Sequence, residues 1–220
     1  MNKNLIICVI CVLMTFQLKG QKVDSSKVEK IYYDSDSKNK KGIWLTGLQL
    51  KAKPDYDLGY SLNGNHEFAK AIEPLKRAIE IDTTGNCGTG KNGTAYGELA
   101  YSYTRLDDYN NAIIYLDKAI QINGKIPEPY LNKAVLLSQH GQNEQAIKTL
   151  NLLTENIPNY AMAYVQRGFI YELIKQPEQA LNDFKMFLDL VKEQKQEKNS
   201  KALIDKIKTR IKEIERETKK

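Results

Sequence analysis

The sequence predicts an all-α protein, an α-solenoid of about four 34-residue helix-turn-helix repeats that ends in a C-terminal capping helix. Three observations lead to this prediction. An alanine recurs at intervals of 34 residues, at Ala112, Ala146 and Ala180. Apolar residues recur around each alanine at the spacing of an amphipathic helix. Turn residues such as His140-Gly141 separate the apolar segments. Together they indicate short helices in regular alternation.

Composition and charge exclude several classes of protein. The chain has 220 residues, of which 41% are hydrophobic, and it contains only 13 Gly and 6 Pro. It is therefore too apolar for a disordered chain and too poor in Gly and Pro for a fibrous one. Three cysteines cannot form a disulfide scaffold. A net charge of +6 is typical of proteins with an anionic partner. Most of this excess lies in residues 192–220, which carry eleven basic and six acidic side chains. The rest of the chain is close to neutral, so we expect no nucleic-acid partner.

The first twenty residues have the pattern of a secretory signal peptide. Lys3 precedes an apolar run from Leu5 to Phe16, and residues 17–20 turn polar. The run is shorter than the roughly 20 residues of a transmembrane helix. We therefore expect residues 1–20 to be removed, near Gly20, and the protein to be secreted or to act in the periplasm or cell envelope. No integral membrane span would remain, and Cys87 would be the single thiol of the mature chain.

Four units follow when the recurring alanines are aligned. Position 20 of each unit is then Ala, and position 8 is always small, Gly or Ala. Small residues at both positions would let two antiparallel helices approach closely. One unit cannot bury its apolar face alone, whereas stacked neighbours can. The predicted units span 52–85, 93–126, 127–160 and 161–194, with a loop insertion at 86–92.

With this period and these small residues, the chain resembles the tetratricopeptide repeat family over residues 52–194. The resemblance implies a protein-binding scaffold in which the first helix of each unit lines a concave groove. Two positions depart from the family pattern. Position 7, usually apolar, holds Lys133 and Arg167, and position 27, usually Ala, holds Leu153 and Phe187.

The flanking segments have different predicted roles. Residues 21–51 show no helical period, and we expect a linker with a short strand at 28–33 and Trp44 as a lid on the first unit. Residues 199–218 predict a helix with an apolar stripe that would cap the solenoid. Binding of this basic helix to a membrane surface is the alternative. The stripe consists of Leu203, Ile204, Ile207, Ile211 and Ile214.

No motif in the sequence supports catalysis. Gly88-x-Gly90-x-x-Gly93 resembles a dinucleotide-binding turn, but such a turn follows a strand, whereas a helix precedes this one. We expect a flexible loop between repeats, and the alternatives are a binding loop or a mixed disulfide through Cys87. His66 and His140 lie in separate predicted turns, without further ligands at metal-binding spacing. We therefore expect no enzyme activity, no cofactor and no metal site.

The resemblance also implies which residues meet a partner. Family members that bind chaperones clamp a terminal carboxylate with basic and amide residues, but the corresponding positions here are Tyr56, Tyr60, Glu98 and Glu128. We therefore expect a peptide or protein partner with apolar anchors. The alternative is that some of the aromatic residues pack between adjacent first helices and meet no ligand. The candidate groove residues are Tyr56, Tyr60, Tyr101, Arg105, Asn132, Val135, Val165 and Phe169.

The functional prediction is an exported protein–protein interaction module that serves as an adaptor in a cell-envelope assembly. The alternative is an envelope-surface structural protein docked through its basic C-terminal helix. Steep weakening of binding by salt would indicate the second function. The sequence leaves the identity of the partner and the oligomeric state open.

Overall fold

The computed structural model describes residues 30–32, 43–45, 47–194 and 197–218, and over these residues the chain is an α-solenoid of nine helices. Two short strands precede the helices. Strand β1 (Lys30–Tyr32) pairs antiparallel with β2 (Ile43–Leu45), with Ile31 opposite Trp44. The predicted short strand at 28–33 thus contains β1. The predicted signal peptide and the side chain of Trp44 lie outside what the structure describes.

The helices alternate as the 34-residue period predicts. The first, α1, begins at Gly47, five residues before the first predicted unit, which starts at residue 52. The helices are α1 (Gly47–Gly64), α2 (Phe68–Ile81), α3 (Thr94–Arg105), α4 (Tyr109–Ile122), α5 (Pro127–Gln139), α6 (Asn143–Asn156), α7 (Ala161–Leu173), α8 (Pro177–Glu193) and α9 (Glu197–Glu217).

Each helix packs against the next one along the chain, and the first helices of neighbouring units also contact one another. The row α1, α3, α5 and α7 forms one face of the solenoid, which we call the concave face. Within a unit, small residues allow the close contact that was predicted. A Cβ atom at Gly59 would lie 2.5 Å from Cγ of Leu75, and one at Gly168 would lie 2.6 Å from Cε1 of Phe184.

The cations at position 7 are accommodated by acidic and amide partners. Arg167 is largely buried and donates from Nη2 to Oδ1 of Asp183 at 2.6 Å and from Nε to Oδ2 at 2.8 Å. Its Nη1 also donates to Oδ1 of Asn151 on α6, at 2.7 Å. Lys133 donates to Asp117 on α4. Polar contacts therefore replace an apolar contact between successive units at both positions.

The C-terminal helix α9 closes the solenoid. Four isoleucines of its predicted apolar stripe are buried in one cluster with Phe184, Phe187 and Val191. The cap therefore uses the apolar surface that a membrane-bound helix would need. Over the part of the chain that the structure describes, no helix combines the length and the hydropathy needed to cross a bilayer.

The inserted loop, which we expected to be flexible, is held by hydrogen bonds to a buried aspartate. Asp82 Oδ1 accepts from the Thr84 hydroxyl at 2.7 Å, and Oδ2 accepts from the Cys87 amide at 2.8 Å. The Cys87 side chain is fully buried in the core shared by α1, α2 and α3. Burial raises the pKa of this thiol to about 12. A mixed disulfide through Cys87 would need a thiolate that this environment disfavours.

Candidate functional site

An open cleft of about 860 Å³ lies on the concave face, between α1, α3 and α5. Tyr60 on α1 and Tyr101 on α3 line it with aromatic rings, and Glu98 on α3 lines it with a carboxylate. Asn132 lines the far side on α5, and Lys91 of the inserted loop lies at the rim. The cleft therefore combines aromatic surface with charged groups of both signs.

Two tyrosines project into solvent because they share position 9 of neighbouring units, on the outward side of α1 and α3. Tyr60 is 56% exposed and Tyr101 is 38% exposed. Gly97 also lines the cleft, and a Cβ atom there would meet no other atom within 4 Å. The helical scaffold thus presents two exposed aromatic rings beside open space.

A buried hydrogen-bond network holds the floor of the cleft. Asn63, at the end of α1, is buried, and its Nδ2 donates to Oε2 of Glu98 at 3.0 Å and to the backbone oxygen of the same residue at 3.1 Å. The hydroxyl of Ser102 donates to Oδ1 of Asn63 at 2.7 Å. This network joins α1 to α3 and fixes the position of the Glu98 carboxylate.

The carboxylate of Glu98 is half-buried, and burial raises its pKa above the usual value for Glu, partly offset by the hydrogen bond from Asn63. Among the described residues no cation pairs with Glu98 or with Glu128, which lies on the far side of the cleft. The cleft therefore holds two carboxylates without counter-ions.

The predicted groove residue Arg105 lies beside the cleft and supports its wall. Its guanidinium lies 5.0 Å from the ring centroid of Phe68, and the Phe68 ring meets Tyr101 edge to face at 5.7 Å. His66 meets the same Phe68 ring at 5.7 Å. Arg105 thus positions Tyr101 through Phe68, although it does not line the cleft itself.

The structure divides the other predicted groove residues into two sets. Tyr60, Tyr101 and Asn132 line the cleft, and Val135 is exposed on α5. Val165, which is 2% exposed, packs in the core beneath α9.

Tyr56 and Phe169 belong to the second set. Tyr56 is 7% exposed, and its ring packs in the core beside that of Tyr60 at 6.0 Å. Phe169 is half-buried and contacts Phe184 at 5.2 Å. Tyr56, Val165 and Phe169 thus pack against other helices of the solenoid, and their role in binding a partner stays a prediction.

Three further residues line the cleft, of which Glu98 and Asn63 occupy outward positions of the first helices that the resemblance implies would meet a partner. Glu98 and Asn63 form the floor, and the inserted loop supplies Lys91 at the rim. The outward register of the first helices includes Glu98 and Asn63, so their positions were readable from the period. Lys91 lines the cleft because of the conformation of the inserted loop, and the repeat period does not predict that conformation.

A second, smaller cavity of about 460 Å³ lies between α7 and α9. There the capping helix covers the part of the concave face that belongs to the fourth unit. Lys206 Nζ lies 5.3 Å from the centroid of the Phe169 ring, and Arg210 forms an ion pair with Glu172. The open part of the concave face is therefore formed by the first three units.

The described residues contain no group of three His, Cys, Asp or Glu side chains placed to hold a metal ion. His140 packs against Tyr109, with ring centroids 4.1 Å apart, and is separate from His66 in the fold. The geometry of the cleft is that of a binding surface with aromatic walls and a fixed carboxylate.

Comparison with known proteins adds to this description. A model of the tetratricopeptide repeat matches residues 103–167. Cell division cycle protein 27 homolog A of Arabidopsis thaliana is 32% identical over 95 residues, which make up 43% of this chain. The matched segment spans only 13% of that relative's length.

Solved structures resemble the fold over most of the chain. The crystal structure of MamA has a TM-score of 0.57 at 24% identity and covers 69% of this chain and 90% of that one. A tetratricopeptide repeat protein from Parabacteroides merdae also has a TM-score of 0.57, at 21% identity, and covers 75% of this chain and 63% of that one. The repeat model thus matches one segment of the chain, residues 103–167, and these structures show that its fold is a helical-repeat solenoid.

Proposed function

We propose that this protein is a protein-interaction module whose cleft between α1, α3 and α5 binds a peptide segment of a partner protein. Proteins built from tetratricopeptide repeats generally act as non-enzymatic scaffolds that bind other proteins. The main support for the proposal is that two exposed aromatic rings, those of Tyr60 and Tyr101, line an open cavity of about 860 Å³. Exposed aromatic residues at the centre of a concave surface are typical of binding sites.

Binding would depend on complementarity of shape and side chains. Burying the exposed part of each tyrosine ring would stabilise a complex by about 1–2 kcal/mol. Both rings project from helices that are already packed, so little conformational entropy would be lost when a partner binds. The Asn63–Glu98 network provides a fixed acceptor beside the apolar contacts.

We further propose that the protein is exported and acts as an adaptor in a cell-envelope assembly. The pattern of residues 1–20 supports this part of the proposal. Cell fractionation of the full chain and of a chain that begins at Gln21 would test it. Export of the full chain alone is the expected result, and equal distribution of the two chains would contradict it.

The second candidate function, docking to the envelope through the basic C-terminal helix, has less support. The apolar stripe of α9 is buried against the last helical pair, so an envelope surface would meet only its charged face. Arg210 is also engaged by Glu172 and Glu213. Docking through this helix would have to rest on charge alone or displace the cap.

Selection of peptides would test the cleft directly. Random 16-residue peptides displayed on phage would be selected on the chain that begins at Gln21. We expect the selected peptides to bind the Tyr60→Ala/Tyr101→Ala variant about 10–100-fold more weakly. Leu152→Ala, at an exposed apolar residue on α6 outside the cleft, is the matched control and should bind as the wild type does. Equal affinity for both variants would refute the assignment of the cleft.

A further inference from the structure

We propose that the cleft selects a cationic peptide segment, with a Lys or Arg side chain of the partner placed between Tyr60 or Tyr101 and the carboxylates of Glu98 and Glu128. The proposal rests on the function proposed above, since it names the chemistry of the segment that the cleft binds. Three observations support it.

The first observation concerns the two carboxylates of the cleft, which also contains Lys91 of the inserted loop. Glu98 and Glu128 line the cleft without an ion pair, whereas several other acidic residues of the described chain, such as Asp117 and Asp183, have a cationic partner. The side-chain donor to Glu98 is the neutral Asn63 amide. A carboxylate can accept about four hydrogen bonds, and charged donors form the stronger ones. A guanidinium or ammonium group would therefore meet an acceptor that the network has already fixed in position.

The second observation concerns the two tyrosine rings. A cation within about 6 Å of an aromatic ring centroid is attracted by the electron-rich face. This chain uses such contacts repeatedly, with Arg105 over Phe68 at 5.0 Å and Lys118 over Tyr115 at 5.3 Å. Tyr60 and Tyr101 are exposed beside Glu98, so one cation could contact an aromatic face and a carboxylate at once.

The third observation is that the fourth unit already binds a basic helix in this way. Phe169 on α7 occupies the same repeat position as Tyr101 on α3, and Glu172 follows it on the same helix. Lys206 of α9 lies over the Phe169 ring, and Arg210, one helical turn later, pairs with Glu172. An aromatic ring and a carboxylate thus receive two cations spaced four residues apart. Tyr101 and Glu98 on α3 also offer an aromatic ring and a carboxylate, and no cation among the described residues contacts either of them.

The phage-selected peptides provide the test. We expect them to be enriched in Lys or Arg next to an apolar residue, and to bind more weakly as salt is raised from about 50 to about 500 mM. Glu98→Gln should weaken binding about tenfold, because a charge-assisted hydrogen bond becomes a neutral one. Glu128→Gln should weaken it less, because Glu128 is exposed. Glu144→Gln, at an exposed carboxylate of α6 outside the cleft, is the matched control.

The outcomes separate this proposal from the preceding one. Neutral or acidic peptides that still require Tyr101 would overturn the cationic specificity and leave the binding cleft intact. Peptides that do not require Tyr101 would overturn the cleft itself. If the chain self-associates and Glu98→Gln abolishes the self-association, the occupant of the cleft is the basic tail of a second copy. That result would overturn the proposal that the cleft binds a different protein. The amide oxygen introduced by Glu98→Gln can still accept a hydrogen bond from Asn63. If the Glu98→Gln variant is nevertheless unstable, the affinity of Glu128→Gln for the same peptides tests the proposal.

Discussion

Gly168→Ala is the substitution whose effect the structure defines most closely. Gly168 lies where α7 and α8 approach within one unit. An added Cβ would lie 2.6 Å from Cε1 and 2.8 Å from Cδ1 of Phe184. The Phe184 ring is fully buried and also contacts Phe169, so it cannot move aside without disturbing the cluster beneath the cap. We therefore expect the substitution to separate the two helices or force the ring from its rotamer.

Two opposing effects set the magnitude. Overpacking of a well-packed core costs about 1–3 kcal/mol. Ala stabilises a helix interior by up to about 1 kcal/mol relative to Gly, which offsets part of this cost. We expect Gly168→Ala to lower the free energy of unfolding by about 1–2 kcal/mol. The effect should be local to the fourth unit and the cap, because each repeat contacts only its neighbours.

Gly97→Ala is the control, since it makes the same chemical change in α3. A Cβ there meets no atom within 4 Å, so only the helix propensity changes. We expect this variant to be more stable than the wild type by about 0.5–1 kcal/mol. Urea unfolding followed by far-ultraviolet circular dichroism measures both variants. A Gly168→Ala protein as stable as the wild type would refute the packing argument. Phe184→Leu in the Gly168→Ala background should recover part of the loss, because a smaller side chain relieves the contact.

Three further substitutions or modifications test other parts of the structure. Asp183→Ala should destabilise the fold by about 3–5 kcal/mol in urea unfolding, because it leaves the Arg167 guanidinium buried without its carboxylate partner. Glu67→Gln, at an exposed ion pair, is the control and should cost less than about 1 kcal/mol. Burial raises the pKa of Glu98 above 4.5, so the folded chain holds this proton more tightly than the unfolded chain. Stability should therefore fall as the pH rises from about 4.5 through the raised pKa, and Glu98→Gln should reduce that fall in urea midpoints measured from about pH 4 to about pH 7. Cys87 in the chain that begins at Gln21 should react with an aromatic disulfide reagent at least about 100-fold more slowly in buffer than in about 8 M urea, and equal rates would contradict its burial.

The repeat architecture could be predicted because it depends on local chemistry that recurs. Ala71 and its equivalents occupy the contact between two helices, and each is fully buried. Small residues are required there in every unit, so the period survives in the sequence even where surface residues vary. The insertion before α3 interrupts the spacing without changing the residues at the contact, which is why the period could be followed across it.

The start of the solenoid was harder to predict for a physical reason. The segment 43–50 is short and apolar, and periodicity cannot distinguish a strand from a helix over so few residues. The structure divides it, with Ile43–Leu45 in β2 and a helix from Gly47 onward. Pairing of β2 with β1, which lies well before it in the chain, decides the conformation, and this contact is not local.

The cleft could be predicted only in part because exposure depends on neighbouring units. Tyr56 and Tyr60 lie one turn apart on α1, and the repeat pattern treats both as outward. The structure packs Tyr56 in the core that also contains Cys87 of the inserted loop, and it leaves Tyr60 exposed. Likewise, Val165 is covered by α9. The burial of both residues involves segments outside the repeat period, the insertion and the cap.

Some of the basic residues of the C-terminal segment form ion pairs within the chain, which the net charge does not reveal. Arg210 pairs with Glu172, and Lys185 pairs with Glu215 of α9 at 3.1 Å. These ion pairs join the cap to the fourth unit, so part of the charge is neutralised within the chain. The concave face carries carboxylates in both its covered and its open parts, and α9 supplies a cation only to the covered part. In the fourth unit, cations of the cap contact a carboxylate and an aromatic ring. A partner that supplies a cation to Glu98 would make the corresponding contacts in the first three units.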